Sequence, residues 1–150
     1  MEYEIMRVQH GTPLYEQLKA FIRDFSWAEV KEHLLYSLEN WECEEWESFF
    51  AAVHNGQIIG MASLLKEDYY PLPEIYPWIS SIFVSEAYRG QGVCGKMIDC
   101  INSYSKKLGF QRTYIPSIHT GLYEKYGYTY LKDIVNYSGE TDRLYAKELI

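Results

Sequence analysis

Cysteine is scarce in this sequence and follows no pattern. Cys43, Cys94 and Cys100 make an odd count of three without metal-ligand spacing, so neither a disulfide framework nor a metal site is expected, and a reducing compartment is. No apolar run approaches the roughly 20 residues that cross a bilayer, and the N-terminus has no basic-then-apolar secretion signal. The expectation is therefore a cytoplasmic protein without a membrane partner. Basic residues are also few: 14 Lys and Arg against 21 Asp and Glu leave a net charge of −7. That balance argues against nucleic-acid binding and leaves cationic partners open. There is no internal repeat, low-complexity tract or linker. What the chain does have is packing material: 47% of its residues are hydrophobic and 17% aromatic, with 15 Tyr, 6 Phe and 4 Trp. Disorder is thereby excluded, and residues 1–150 fit one domain able to bury about two-thirds of its unfolded surface.

The apolar spacing divides the chain into elements. Met1 to Val8 alternates imperfectly and reads as a first strand. Thr12 and Pro13 look like an N-cap and first helical position for a stripe of Leu14, Leu18, Phe21, Ile22 and Phe25. A second helix is predicted from Ser26, which forms a capping-box pattern with Glu29 ahead of Val30, Leu34, Leu38 and Trp41. Phe49 to Val53 and Gln57 to Leu65 form a predicted antiparallel hairpin across His54, Asn55 and Gly56. Pro71, Pro73 and Pro77 make Glu67 to Tyr76 a surface loop. Trp78 to Val84 reads as a buried central strand. A helix follows from Val93 to Leu108, with Gly109 as its C-cap, and Arg112 to Ile115 is then a strand parallel to the central one. Gly121 to Tyr126 reads as a short helix, with Tyr128 to Tyr137 and Arg143 to Lys147 as closing strands.

Between the central strand and the helix lies Arg89-Gly90-Gln91-Gly92-Val93-Cys94-Gly95. Glycines allow close backbone approach, and the free N–H groups of a helix's first turn receive phosphate. The alternative is a tight turn that needs Gly for geometry alone. Gly90, Gly92 and Gly95 also match the dinucleotide fingerprint G-x-G-x-x-G, but its context is missing. That fingerprint expects an acidic residue about 20 positions further on, and Phe110 to Ser117 contains none. Only about 55 residues remain after the turn, too few for a doubly wound sheet.

Ile82-Phe83-Val84 followed by Tyr88-Arg89-Gly90-Gln91-Gly92-Val93 resembles the acyl-CoA-binding signature of the GNAT superfamily of N-acetyltransferases. Leu122-Tyr123-Glu124-Lys125-Tyr126-Gly127-Tyr128 resembles that superfamily's second signature, and the two stand in the family's order. The resemblance implies an α/β (α+β) fold. Its mixed, mostly antiparallel sheet would have about six to seven strands and about four flanking helices, and would splay at the central parallel strands. It implies acetyl-CoA as cosubstrate, a small-molecule or peptide amine as acceptor, and leaves room for a homodimer. Cys94 departs from the pattern where the family usually has Gly or Ala. Pro116, Ser117 and His119 replace a stretch that often carries a cofactor-binding Asn.

By the same resemblance, the backbone of Ile82, Phe83 and Val84 pairs with the pantetheine amides. The N–H groups of Gln91, Gly92, Val93, Cys94, Gly95 and Lys96 surround the pyrophosphate, Gly90 belongs to the same cofactor-binding turn, and Arg89 adds a charge-assisted contact. Glu74 is the candidate general base and Tyr123 the acid for the leaving thiolate. His119 is a weaker candidate for the acid. A thiol at a helix N-terminus has a lowered pKa, which keeps Cys94 open as a nucleophile in a second enzymatic reading. Trp41, Glu42, Glu44, Glu45, Trp46 and Glu47 form an acidic, aromatic segment suited to a cationic amine or to a solvated helix end. An acyl-CoA-binding module without turnover is the non-enzymatic alternative.

Overall fold

The computed structural model describes residues 1–25, 28–40 and 45–150. Ser26, the capping residue of the predicted capping box, and residues Trp41, Glu42, Cys43 and Glu44 lie outside that description. In chain order the elements are β1 (Glu4–Val8), α1 (Pro13–Asp24), α2 (Ala28–Glu39), β2 (Ser48–His54), β3 (Gln57–Leu65), β4 (Trp78–Val84), α3 (Val93–Lys107), β5 (Arg112–Ser117), β6 (Thr129–Val135) and β7 (Thr141–Glu148). Glu86–Tyr88 and Tyr123–Tyr126 are short 3₁₀ turns. The predicted helix at Gly121 to Tyr126 is therefore one such turn. Left-handed glycines bracket it, Gly121 at φ 82 and Gly127 at φ 91, and they leave no length for an α-helix.

Local chemistry explains the boundaries. Thr12 caps α1, its Oγ1 accepting the Tyr15 N–H at 3.3 Å, with Pro13 next to it. Asn55 at φ 50 and Gly56 at φ 76 close the β2–β3 hairpin in the left-handed pair of conformations that suits two twisted strands. Gly109 sits one residue beyond the C-cap Leu108 at φ 95, and the Phe110 N–H reaches the Ser105 carbonyl at 3.1 Å.

The seven strands form one sheet in the order β1-β2-β3-β4-β5-β7-β6. Every pairing is antiparallel except β4 with β5. Helices α1 and α2 cover one face through Leu18, Ile22, Leu34 and Leu38 against Val8, Phe49, Ala51, Met61 and Phe83. Helix α3 covers the other through Val93, Met97, Ile98 and Ile101 against Phe50, Ile59, Leu64, Ile79 and Ile115. Each fully buried Leu or Ile in these layers contributes about 1.5–3 kcal/mol of transfer free energy. The proline-rich loop 66–77 covers the far half of the first face, where Ile75 and Trp78 pack with Ile134 and Leu144.

Candidate active site

The central pair of parallel strands comes apart almost at once. β4 and β5 share one register pair, Trp78 with Tyr114, after which the upper half of β4 has no neighbour on that side. A bulge lies in the same stretch. Met61 faces Phe83 and Ser63 faces Ser80, so Ser81 and Ile82 together oppose Ala62, with Ser81 in the left-handed region at φ 53. A bulge turns backbone groups away from the ladder, here beside the gap. Ser80-Ser81, the one polar interruption of the apolar run, is the signal in the sequence that marks it.

Above the gap α3 begins. Gly92 is its N-cap at φ 80, ψ 8, and Gly90 has φ 78. No atom lies within 4 Å of where a Cβ would stand at either glycine. The first intrahelical bond runs from Lys96 N–H to the Gly92 carbonyl at 3.1 Å. The N–H groups of Val93, Cys94 and Gly95 therefore precede the helical ladder and are free to bind an anion, with the helix dipole behind them. The Lys96 N–H, expected in the same cradle, is spent within the helix. Gly95 is small for a different reason: a Cβ there would meet Tyr126 Cε1 at 2.8 Å.

That contact brings the second signature onto the first. Tyr126 packs on Gly95 and shares a hydrogen bond with Cys94. Tyr128 anchors the segment below, where its hydroxyl takes the Asn102 Nδ2 hydrogen bond at 3.0 Å and lies 2.7 Å from Thr113 Oγ1. Gly127 closes the turn in the left-handed region, where a Cβ would lie 3.1 Å from Lys147 Cε. Tyr123 is buried, its ring centroid 6.2 Å from that of Tyr145. Burial, then the neighbouring Cys94, Tyr126 and Tyr128, push its hydroxyl well above the usual phenol range. It stays protonated at neutral pH and has no hydrogen-bond partner within the described residues.

Other candidates fall elsewhere. Arg89 turns back onto β4: its Nε donates to the Val84 carbonyl at 2.8 Å and its guanidinium lies 5.3 Å from the Phe83 ring centre. Glu74 is exposed in the loop before Trp78, beside the end of β4 that is still paired. His119 serves through its backbone, its carbonyl accepting the Tyr145 hydroxyl at 2.7 Å. Trp46 packs against Phe110 and the core under α3, and a Glu47 oxygen accepts the Lys66 N–H. The lowered pKa expected for Cys94 is overturned. Burial raises the thiol, which outweighs the Tyr126 hydrogen bond and the Lys125 charge that act to lower it.

Among the described residues no helix is long and apolar enough to cross a membrane. A comparison with curated protein sequences finds no match. The aminoglycoside 6'-N-acetyltransferase from Enterococcus faecium superposes with a TM-score of 0.74 at 17% identity, over 98% of this chain and 97% of that one. A GNAT family acetyltransferase from Elizabethkingia anophelis with acetyl-CoA bound gives 0.67 at 20% identity, over 98% of each chain. The ribosomal-protein-S18-alanine N-acetyltransferase from Escherichia coli gives 0.69 at 15%, over 99% of this chain and 94% of that one. These likenesses show the fold. The family model for the GNAT acetyltransferases matches residues 14–128, a span that includes the splay, the glycine turn and the tyrosine turn, and the chain accordingly belongs to the GNAT acetyltransferase family, an acyltransferase that uses acetyl-CoA as cosubstrate.

Proposed function

We propose that this chain transfers the acetyl group of acetyl-CoA directly to a primary amine, without an acyl-enzyme. The supporting observation is the pairing of free N–H groups at Val93, Cys94 and Gly95 with an unpaired upper half of β4 directly before them. Together these offer a phosphate cradle and a strand edge on one side of one gap. Ile82, Phe83 and Val84 would pair with the pantetheine amides, while Gly90, Gln91 and Gly92 let the backbone approach the pyrophosphate. Arg89 reaches a phosphate in this reading by giving up its bond to Val84.

In the transfer, the lone pair of the neutral amine attacks the thioester carbonyl, the nitrogen gives up a proton to solvent as the amide forms, the C–S bond breaks, and the leaving sulfur gains a proton. Tyr123 suits the last role because its hydroxyl keeps its proton and has no competing partner. An amine with an ordinary pKa near 10 must first lose a proton. Glu74 would take it through water. The acceptor is an amine of the small-molecule or peptide class, as it is for the neighbours named for aminoglycosides and for a ribosomal-protein alanine.

The test is release of free CoA thiol from acetyl-CoA across a panel of a polyamine, an aminoglycoside, free amino acids and an alanine-ended peptide. Release above the no-amine background is expected with at least one of them. Acetyl-CoA binding without release for any amine would support the non-catalytic alternative. Direct transfer also makes a prediction for Cys94, whose thiol is half-buried and raised. Cys94→Ala restores the family's small residue and is expected to keep wild-type turnover, with no acetyl group found on the native cysteine by mass spectrometry. A trapped acetyl-Cys94 together with an inactive variant would overturn direct transfer.

A further inference from the structure

A closed ring of hydrogen bonds lies beneath the candidate site and joins three of the elements that build it. Asn102 stands on α3, Tyr128 directly after the tyrosine turn, and Thr113 on β5 next to Tyr114, the residue paired with Trp78 where the gap begins. All three are buried. Thr113 Oγ1 donates to Asn102 Oδ1 at 2.7 Å, which uses its one proton. The 2.7 Å bond between Thr113 and Tyr128 is therefore donated by the Tyr128 hydroxyl, and Asn102 Nδ2 donates to that hydroxyl at 3.0 Å. Donation runs one way round the ring. Burial outweighs the pull of these bonds and pushes the Tyr128 phenol up to about 12, so it keeps the proton it donates.

A buried polar ring is costly unless complete, and a complete one admits few other arrangements of its members. The turn it borders needs such support. A 3₁₀ turn as short as Tyr123–Tyr126 has little stability of its own, so the place of Tyr123 depends on what holds the turn. The Tyr128 N–H donates to the Tyr123 carbonyl at 3.2 Å, one bond away from the ring. Lys147, opposite Thr113 on β7, donates from Nζ to the Tyr126 carbonyl at 2.8 Å. Tyr126 in turn packs on Gly95 at the cradle. The Tyr123 hydroxyl bonds to no other group among the described residues, so its position is set through the backbone of the turn and the packing of its ring on Tyr145.

We propose that Asn102, Thr113 and Tyr128, together with Lys147, are positioning residues that fix the Tyr123 hydroxyl relative to the phosphate cradle on α3. This rests on the acetyltransfer reading above, with Tyr123 as the acid. In that reading the phosphates are held at the first turn of α3 and the leaving sulfur lies further along the gap. The distance between that helix and the tyrosine turn then decides whether the acid reaches the sulfur. The ring sets this distance with one side chain from the helix, one from the wall of the gap and one from the end of the turn. None of the four residues takes part in bond making.

The experiment measures kcat and the acetyl-CoA Kd for Thr113→Val, Thr113→Ser and Lys147→Met, each made in the wild type and in Tyr123→Phe. Thiol release is followed with the amine of the panel above that is turned over fastest. Thr113→Val keeps the shape but loses the hydroxyl, and is expected to lower kcat about tenfold at unchanged Kd, whereas Thr113→Ser retains turnover. In the Tyr123→Phe background neither Thr113→Val nor Lys147→Met should lower kcat further, because the hydroxyl they position is gone. Lys147 is only half-buried, so Lys147→Met decides the matter if Thr113→Val fails to fold. Fluorine NMR with a fluorotyrosine in place of Tyr123 reads position without turnover: one resonance is expected with the ring intact, and a broadened or split one in Thr113→Val and Lys147→Met. Equal loss of kcat in both backgrounds, an unchanged kcat, or an unchanged resonance would overturn the proposal. Acetyl-CoA binding without thiol release for any amine would instead sink the transfer reading, and the fluorine spectra would still decide whether the ring fixes the tyrosine.

Discussion

Tyr123→Phe is expected to lower kcat by about 10²–10⁴ while leaving the affinity for acetyl-CoA nearly unchanged, because only a proton donor to the leaving sulfur is removed. The ring is held by packing: Tyr123 lies in the core layer under α3 and beside Tyr145, and Phe keeps that contact. The hydroxyl is in a different position. It bonds to no other group among the described residues, and burial holds its proton on well beyond the usual phenol range. The sign of that shift bears on the pH profile. A phenol whose pKa is raised in the folded state remains a donor throughout the range in which amines become neutral, so Tyr123 should contribute no fall in kcat on the alkaline side below pH 10. The rising limb then belongs to deprotonation of the amine or of its base. Stopped-time assays of CoA thiol release from pH 6 to 10, with a competent acceptor, check both points. Wild-type turnover in Tyr123→Phe would return this tyrosine to a packing role.

The elements that could be read from the sequence are those set by local chemistry. Thr12-Pro13, Asn55-Gly56 and Gly109 each fix backbone angles within a residue or two, and each boundary lies where those residues place it. The helical crossover between β4 and β5 made the pair parallel, as found. Other features depend on contacts that no spacing encodes. Tyr123 to Tyr126 fits a helical period equally well, and the glycines on either side decide for a 3₁₀ turn. Gly90 and Gly95 look alike in the motif, yet one has left-handed geometry in open space and the other makes room for a ring from a distant segment. Nothing in the spacing around Arg89 encodes the bond its Nε makes to the Val84 carbonyl at the end of its own strand. The Tyr70–Asp142 bond joins residues separated by the whole of β4, α3, β5 and β6, and neither stands in any recognisable pattern. Cys94 shows the limit of dipole reasoning: the N-terminus of α3 favours a thiolate, but desolvation there is the larger effect.

Gly92→Val is expected to abolish the thermal stabilisation that acetyl-CoA gives the wild type. With ligand at a hundredfold over Kd that stabilisation is about 2.7 kcal/mol, or roughly 5–10 °C for a domain of this size. The expectation rests on two separate effects at one position. Gly92 caps α3 with φ 80 and ψ 8, a region that costs an L-residue about 1–2 kcal/mol and a β-branched one more. Valine would pull the cap toward extended backbone and move the N–H groups of Val93, Cys94 and Gly95 out of line. If the cap held its angles instead, the isopropyl group would stand in the open space beside those N–H groups, where no protein atom now lies within 4 Å. Either way the phosphates lose their cradle. Lower stability of the ligand-free variant does not by itself establish this, so Gly11→Val serves as the control. Gly11 has the same left-handed geometry, at φ 81 and also in open space, but in the turn between β1 and α1. That variant should lose a similar amount of ligand-free stability and retain the full acetyl-CoA shift. An intact shift in Gly92→Val would place the phosphates away from the start of α3, and loss of the shift in both variants would make it a measure of global stability rather than of the cradle.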